Sequence, residues 1–175
     1  MKRVSILLAL VVAVPAAAQQ PMTAPGGIAT NRMIWEGVAN YLVKSAEQMS
    51  EANYAFKPTP EVRTFGEIIG HLAGSQDMYC ALALGEKAPA EDAVEKAATS
   101  KADLIASLKS SNDHCRQAYA LAESAGGRMV DVFGQSRSVL YTLMSNTSHD
   151  SEHYGNLVTY MRLKGMVPPS SQPSR

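Results

Sequence analysis

An all-α four-helix bundle is the fold that this 175-residue sequence predicts, and three observations predict it. Four segments carry apolar residues at the three- and four-residue spacing of a helix face. No segment of useful length alternates apolar and polar residues as a half-buried strand would. Start and stop chemistry stands at the segment ends: Thr64-Phe65-Gly66-Glu67 has the form of a capping box, and Gly165 followed by Pro168-Pro169 has the form of a helix terminus. Four helices of this length, joined by modest connections, bury their apolar faces against one another.

The chain begins Met1, Lys2, Arg3, continues with an apolar run from Val4 to Val14, and reaches Pro15 and three alanines before Gln19. A charged start, a short apolar stretch and a small-residue site make up a secretory signal peptide, so residues 1–18 are expected to be removed by a cut after Ala18. The apolar run is about 11 residues, well short of the roughly 20 that span a bilayer. Residues 19–30 hold prolines and glycines without charge and read as a flexible leader. The bundle is expected over residues 31–169, with 170–175 as a disordered tail.

The first helix is expected over residues 31–52, with Ile34, Val38, Tyr41, Leu42, Ser45 and Met49 on one stripe and Thr30 or Asn31 as its cap. Lys57-Pro58-Thr59-Pro60 forbids its continuation. The second helix starts at the Thr64 box and ends near Gly85. Residues 86–99 are Ala-rich and charged, with room for a short extra helix. The third helix is expected over residues 100–124, with Leu104, Ile105, Leu108, Cys115, Tyr119 and Ala122 on one face and Gly126-Gly127 ending it. The fourth is expected over residues 136–164, with Gly165 just past its end.

Lys plus Arg balance Asp plus Glu at 16 each, and loss of Lys2 and Arg3 with the signal leaves a net charge of about −2. Such scattered charge offers no footprint for phosphate backbones or anionic lipid. Neither nucleic acid nor, after signal cleavage, a membrane is therefore an expected partner. A small-molecule substrate is, and a homodimer is compatible with the sequence. The expected location is periplasmic or secreted. An oxidising compartment permits one disulfide between Cys80 and Cys115. Two separate buried thiols fit the sequence equally, because it does not give the Cα separation that a bridge requires.

The chemistry-bearing residues are histidines. His149 and His153 lie about 40° apart on the last helix, so imidazoles on successive turns can reach one metal ion. Thr142, Asn146, Asn156 and Tyr160 fall in the same direction, an uncharged hydrogen-bonding stripe where a solvated face would carry lysine and glutamate. On the second helix His71 points with Ile68, Leu72, Ser75, Met78, Tyr79 and Leu82 into the bundle interior. Ligation would satisfy a buried ring nitrogen that is otherwise costly. His71, His149 and His153 are thus the expected metal ligands. Asn146, Glu152 and Asn156 are candidates for orienting the imidazoles or gripping a substrate. His114, beside Asp113 and Arg116, is expected in solvent. Three neutral imidazoles leave one or more coordination positions open, as in a catalytic site, and accept zinc, nickel or iron. The run from His149 to His153 also fits the H-x-x-E-H pattern of some peptidases, but no acidic residue follows Glu152 to complete that ligand set.

The stretch from Tyr54 through Lys57-Pro58-Thr59-Pro60 and Thr64-Phe65-Gly66-Glu67 to His71 resembles the lead-in to the second helix of the DinB/YfiT-like family. The stretch from Asn146 through His149, Glu152, His153 and Asn156 to Tyr160, Arg162, Gly165 and Pro168-Pro169 resembles the last helix of that family. The resemblance implies a four-helix bundle with a three-histidine metal site on His71, His149 and His153. It also implies a metal-dependent enzyme, a hydrolase or a transferase using a low-molecular-weight thiol. Export argues against the thiol, which an oxidising compartment would deplete. A non-catalytic metal or small-molecule binding module and a purely structural bundle are the alternatives.

Overall fold

The computed structural model describes residues 25–98 and 100–173, and the expected signal peptide lies outside them. Five α-helices and one hairpin make up the described chain: α1 Gly27–Gln48, α2 Phe65–Leu84, the short α3 Ala93–Ala97, α4 Lys101–Tyr119, the strands β1 Met129–Val132 and β2 Gln135–Ser138, and α5 Val139–Leu163. The fold is all-α, with the four long helices as its frame. Among the described residues no helix is long and apolar enough to cross a membrane.

The first helix departs most from expectation. It starts at Gly27, inside the segment read as leader, and neither Thr30 nor Asn31 caps it. The Glu123 carboxylate instead accepts the Ile28 and Ala29 amides at 3.0 and 2.8 Å. A distant anion thereby satisfies orphan donors at the positive end of the helix. Its buried face carries Ile28, Asn31, Trp35, Ala39, Leu42 and Ala46. Ile34 is 56% exposed. The large indole of Trp35, stacked on Tyr119 with ring centres 4.5 Å apart, sets the direction of the face.

At α2 the Thr64 box forms as the sequence predicts. Thr64 Oγ1 accepts the Glu67 amide at 3.2 Å, and Glu67 Oε2 accepts the Thr64 amide at 2.6 Å. Gly85 ends the helix at a φ of 85°, in the left-handed region. The helix α4 stops at Tyr119, before the Gly126-Gly127 expected to end it. A 3₁₀ turn over Glu123–Gly127 follows and carries the residue that caps α1.

The hairpin contradicts the expectation of no strand. Phe133 and Gly134 sit at φ 52° and 77°, the doubly positive turn that matches strand twist. Asp131 Oδ1 holds that turn by accepting the Gly134 amide at 2.9 Å. Because residues 135–138 are strand, α5 begins at Val139, with Ser138 Oγ accepting the Tyr141 amide. It ends in a Schellman motif, the amides of Gly165 and Met166 bonding the carbonyls of Arg162 and Met161. The expected loose tail is docked through Gln172: the Ser170 amide donates to Tyr154 Oη at 2.9 Å, and Gln172 Nε2 to Gln48 Oε1 at 3.0 Å.

Both α1 and α2 pack against α4 and α5, so α1 and α2 stand diagonally across the bundle. Two apolar clusters fill it. One gathers Leu42, Phe65, Ile69, Leu72, Leu108, Leu157 and Met161; the other gathers Ile28, Trp35, Tyr119, Val139 and Leu143 around a disulfide between Cys80 and Cys115. Along α2 and α5 a buried polar band separates the clusters, with His71, Ser75 and Gln76 on one helix and Asn146, Thr147 and Asp150 on the other. The sequence-predicted site lies in this band.

Candidate metal centre

On α2, His71 projects inward between Ile68 and Ser75 and is 6% exposed. Ser75, one turn on, returns its hydroxyl to the His71 carbonyl at 2.8 Å and stands 3.4 Å from His149 Nδ1. Opposite, His149 and His153 leave α5 one turn apart. The structure brings all three rings together: His71 Nε2 is 3.0 Å from His149 Nε2, which is 3.2 Å from His153 Nε2. Each residue offers one nitrogen, and the three lie within 4.8 Å of one another. Nitrogens bonded to one ion at about 2.0–2.1 Å stand roughly 3.0–3.4 Å apart, so the spacing suits a common cation.

The electrostatics suit it as well. Burial is the largest influence on each ring and disfavours the imidazolium, pushing His71 down to about 4, His149 down to about 3, and His153 below its ordinary value. The neighbouring rings and the Arg63 guanidinium push His71 and His149 the same way. At neutral pH these are three neutral donors, the protonation state that metal binding needs.

The outer nitrogens complete the fit. Asn156 Nδ2 is 3.3 Å from His153 Nδ1, so Asn156 orients that ring. Buried His71 Nδ1 has no hydrogen-bond partner, and Glu95 Oε2 stands 3.7 Å from it. The other Glu95 oxygen accepts Arg63 Nε at 2.9 Å. A carboxylate behind a ligating imidazole fixes its tautomer and raises its basicity. The donor chemistry and the outer partners therefore fit a divalent ion.

The other two candidates, Asn146 and Glu152, make no hydrogen bond to the three rings. Asn146 is buried, but its amide donates to Tyr119 Oη at 3.2 Å and approaches Asp150 Oδ2 at 3.5 Å, away from the metal-facing nitrogens. Glu152 is exposed and forms no hydrogen bond with the histidines. His114, expected in solvent, is half-buried between Asp77 and Glu86, at 3.1 and 3.0 Å. Sequence reasoning missed Glu95 altogether, because its placement depends on how α3 seats on α2. It also passed over Asp150, whose fully buried carboxyl is driven well above the usual carboxylate range by desolvation.

Next to the site, a cleft of about 600 Å³ is lined by Pro58, Glu61, Val62, Arg63, Ile68, His153, Asn156 and Tyr160. On another side Tyr79 lies 6.2 Å from the His149 ring and 6.2 Å from Phe133 of the hairpin.

A helical bundle whose polar waist gathers three imidazoles beside a cleft defines the class of protein. Residues 34–157 match the DinB superfamily, and the chain belongs to that superfamily. Solved structures share the fold. A DinB-like protein from Bacillus cereus superposes with a TM-score of 0.69 at 18% identity, covering 79% of this chain and 93% of that one. A DinB-like protein from Bacillus subtilis gives 0.64 at 21% identity, covering 84% and 99%. A mycothiol-dependent maleylpyruvate isomerase gives 0.64 at 16% identity, covering 74% of this chain and 60% of that one. No curated protein matches the chain.

Proposed function

We propose that the protein is an exported metalloenzyme that acts on a small molecule by metal-assisted hydrolysis or thiol transfer, with His71, His149 and His153 as the ligands of zinc, nickel or iron. The convergence of three neutral imidazole nitrogens beside a cleft carries this reading. A bound divalent ion supplies Lewis acidity toward an oxygen or sulfur at the open position. The chain's own groups do the rest. Asn156 orients the His153 ring, the Glu95 carboxylate stands behind His71, and Ile68, Val62 and Tyr160 give the cleft apolar surface. Arg63, which lines the cleft and pairs with Glu95 while staying 43% exposed, offers its remaining guanidinium N–H groups to an acceptor on the substrate.

Hydrolysis is supported by the Cys80–Cys115 disulfide, which suits an oxidising compartment where small thiols are scarce. Thiol transfer is supported by the fold shared with an isomerase that depends on mycothiol. A non-catalytic binding module is a second reading, favoured by Glu152, which is exposed and makes no hydrogen bond to the histidines. Elemental analysis of protein recovered from its own compartment tests the metal. About one equivalent of a single transition metal is expected in the wild type and little in His149→Ala, whereas equal content in both would refute the site.

A further inference from the structure

Two glycines one turn apart, Gly70 and Gly74, leave a bare strip on α2. A Cβ at Gly74 would stand 2.1 Å from the Glu91 carbonyl oxygen, and one at Gly70 would stand 2.8 Å from Glu95 Cα. The backbone of residues 91–95 therefore lies directly on α2, an approach that any larger residue at either position would block. Seated there, two glutamates one turn apart straddle the His71 ring. Glu95 stands behind it, 3.7 Å from Nδ1 and held by Arg63. Glu91 stands in front, its Oε1 3.9 Å from Nε2, the nitrogen that faces His149.

A neutral imidazole gives little reason for a carboxylate to stand at its metal-facing nitrogen, and a cation gives a strong one. We propose that Glu91 is a fourth ligand of the ion held by His71, His149 and His153, its carboxylate entering from the turn before α3. This rests on the three-histidine reading and deepens it. The histidine nitrogens are already at ligand spacing; the Glu91 oxygen stands 3.9 Å from one of them, His71 Nε2, and outside the set that lies within 4.8 Å of one another, so it reaches the ion by a turn of its side chain. With its side chain 36% exposed, Glu91 has room to swing inward. Glu95 is engaged by Arg63 and is not available for that role. A carboxylate added to three imidazoles lowers the charge of the loaded site by one. It also leaves positions open on a five- or six-coordinate ion.

Titration of the protein with Co²⁺, followed by its visible absorption, and with Zn²⁺ against a chromogenic chelator tests the proposal. Glu91→Gln is near-isosteric and its side chain is only partly buried, so the fold is expected to persist. It is expected to weaken Zn²⁺ binding by about 10- to 100-fold and to alter the Co²⁺ spectrum. Gly74→Ala, which pushes the Glu91 backbone off α2 without altering any of the three histidines, is expected to do the same. Glu36→Gln, on the exposed face of α1, should change neither. Wild-type affinity and spectrum in Glu91→Gln, beside lost binding in His149→Ala, would overturn the role of Glu91 alone. Undiminished binding in His149→Ala would overturn the three-histidine centre and Glu91 with it.

Discussion

Reducing the Cys80–Cys115 disulfide should cost the bundle a large part of its stability. The bridge spans 35 residues and ties α2 to α4 inside an apolar cluster where both cysteines are fully buried. In the chain-entropy account, closing a loop of that length restricts the unfolded chain by about 4 kcal/mol at 25 °C. For a domain of this size that corresponds to a melting temperature lower by roughly 10–15 °C. Both sulfurs are shielded, so reductant added to the folded protein should act slowly. The comparison is therefore made on protein unfolded, reduced and refolded in reductant. Urea unfolding of oxidised and reduced forms, followed by circular dichroism, gives the difference directly. Coincident midpoints would refute the reasoning, because the bridge would then restrain nothing that the helices do not already restrain.

Two further outcomes follow from the site. Glu95→Gln removes the carboxylate behind His71 and should weaken Zn²⁺ binding by about 10-fold or more; loss of the partly exposed Arg63 pair should cost under about 1 kcal/mol of stability, so affinity and melting should part company. In the metal-free protein His71 and His149 have folded pKa values near 4 and 3 against 6.5 unfolded. The unfolded chain therefore takes up protons first as pH falls below about 6.5, and the native state is progressively destabilised down to about pH 4. Each such histidine contributes a slope of up to about 1.4 kcal/mol per pH unit. Buried Asp150 has the opposite sign, since its raised pKa makes the native state lose stability as pH rises above 3.8. The difference between wild type and His149→Gln removes that common background, and equal slopes in urea unfolding between pH 4 and 6.5 would contradict the assignment.

What could be read from the sequence and what could not divide along a physical line. Groups whose placement follows from one helix were legible: the Thr64 box, the Gly165 terminus, and the directions of His71, His149 and His153. Groups whose placement depends on contact between distant segments were not. Glu123 caps α1 from across the fold, and no local signal marks it. Glu91 and Glu95 reach His71 only because Gly70 and Gly74 let the chain lie on α2. That pair of glycines was visible in the sequence without a reason to connect it to the acidic residues beyond it. Trp35 turned the buried face of α1 away from Ile34, since one large indole outweighs several smaller side chains. The hairpin escaped because its turn is Phe-Gly, lacking the Asn-Gly or Asp-Gly signature. The cysteine pairing needed a Cα separation, 5.1 Å here, that only the packed helices provide.

The central claim is that three imidazoles, from α2 and α5, hold one cation. X-ray absorption at the metal edge of protein loaded with Zn²⁺ tests it most directly. The account predicts a shell of nitrogen and oxygen at about 2.0–2.1 Å with the multiple scattering of three imidazole rings, falling to two in His71→Ala. A shell without imidazole scattering, or one unchanged by that substitution, would contradict it.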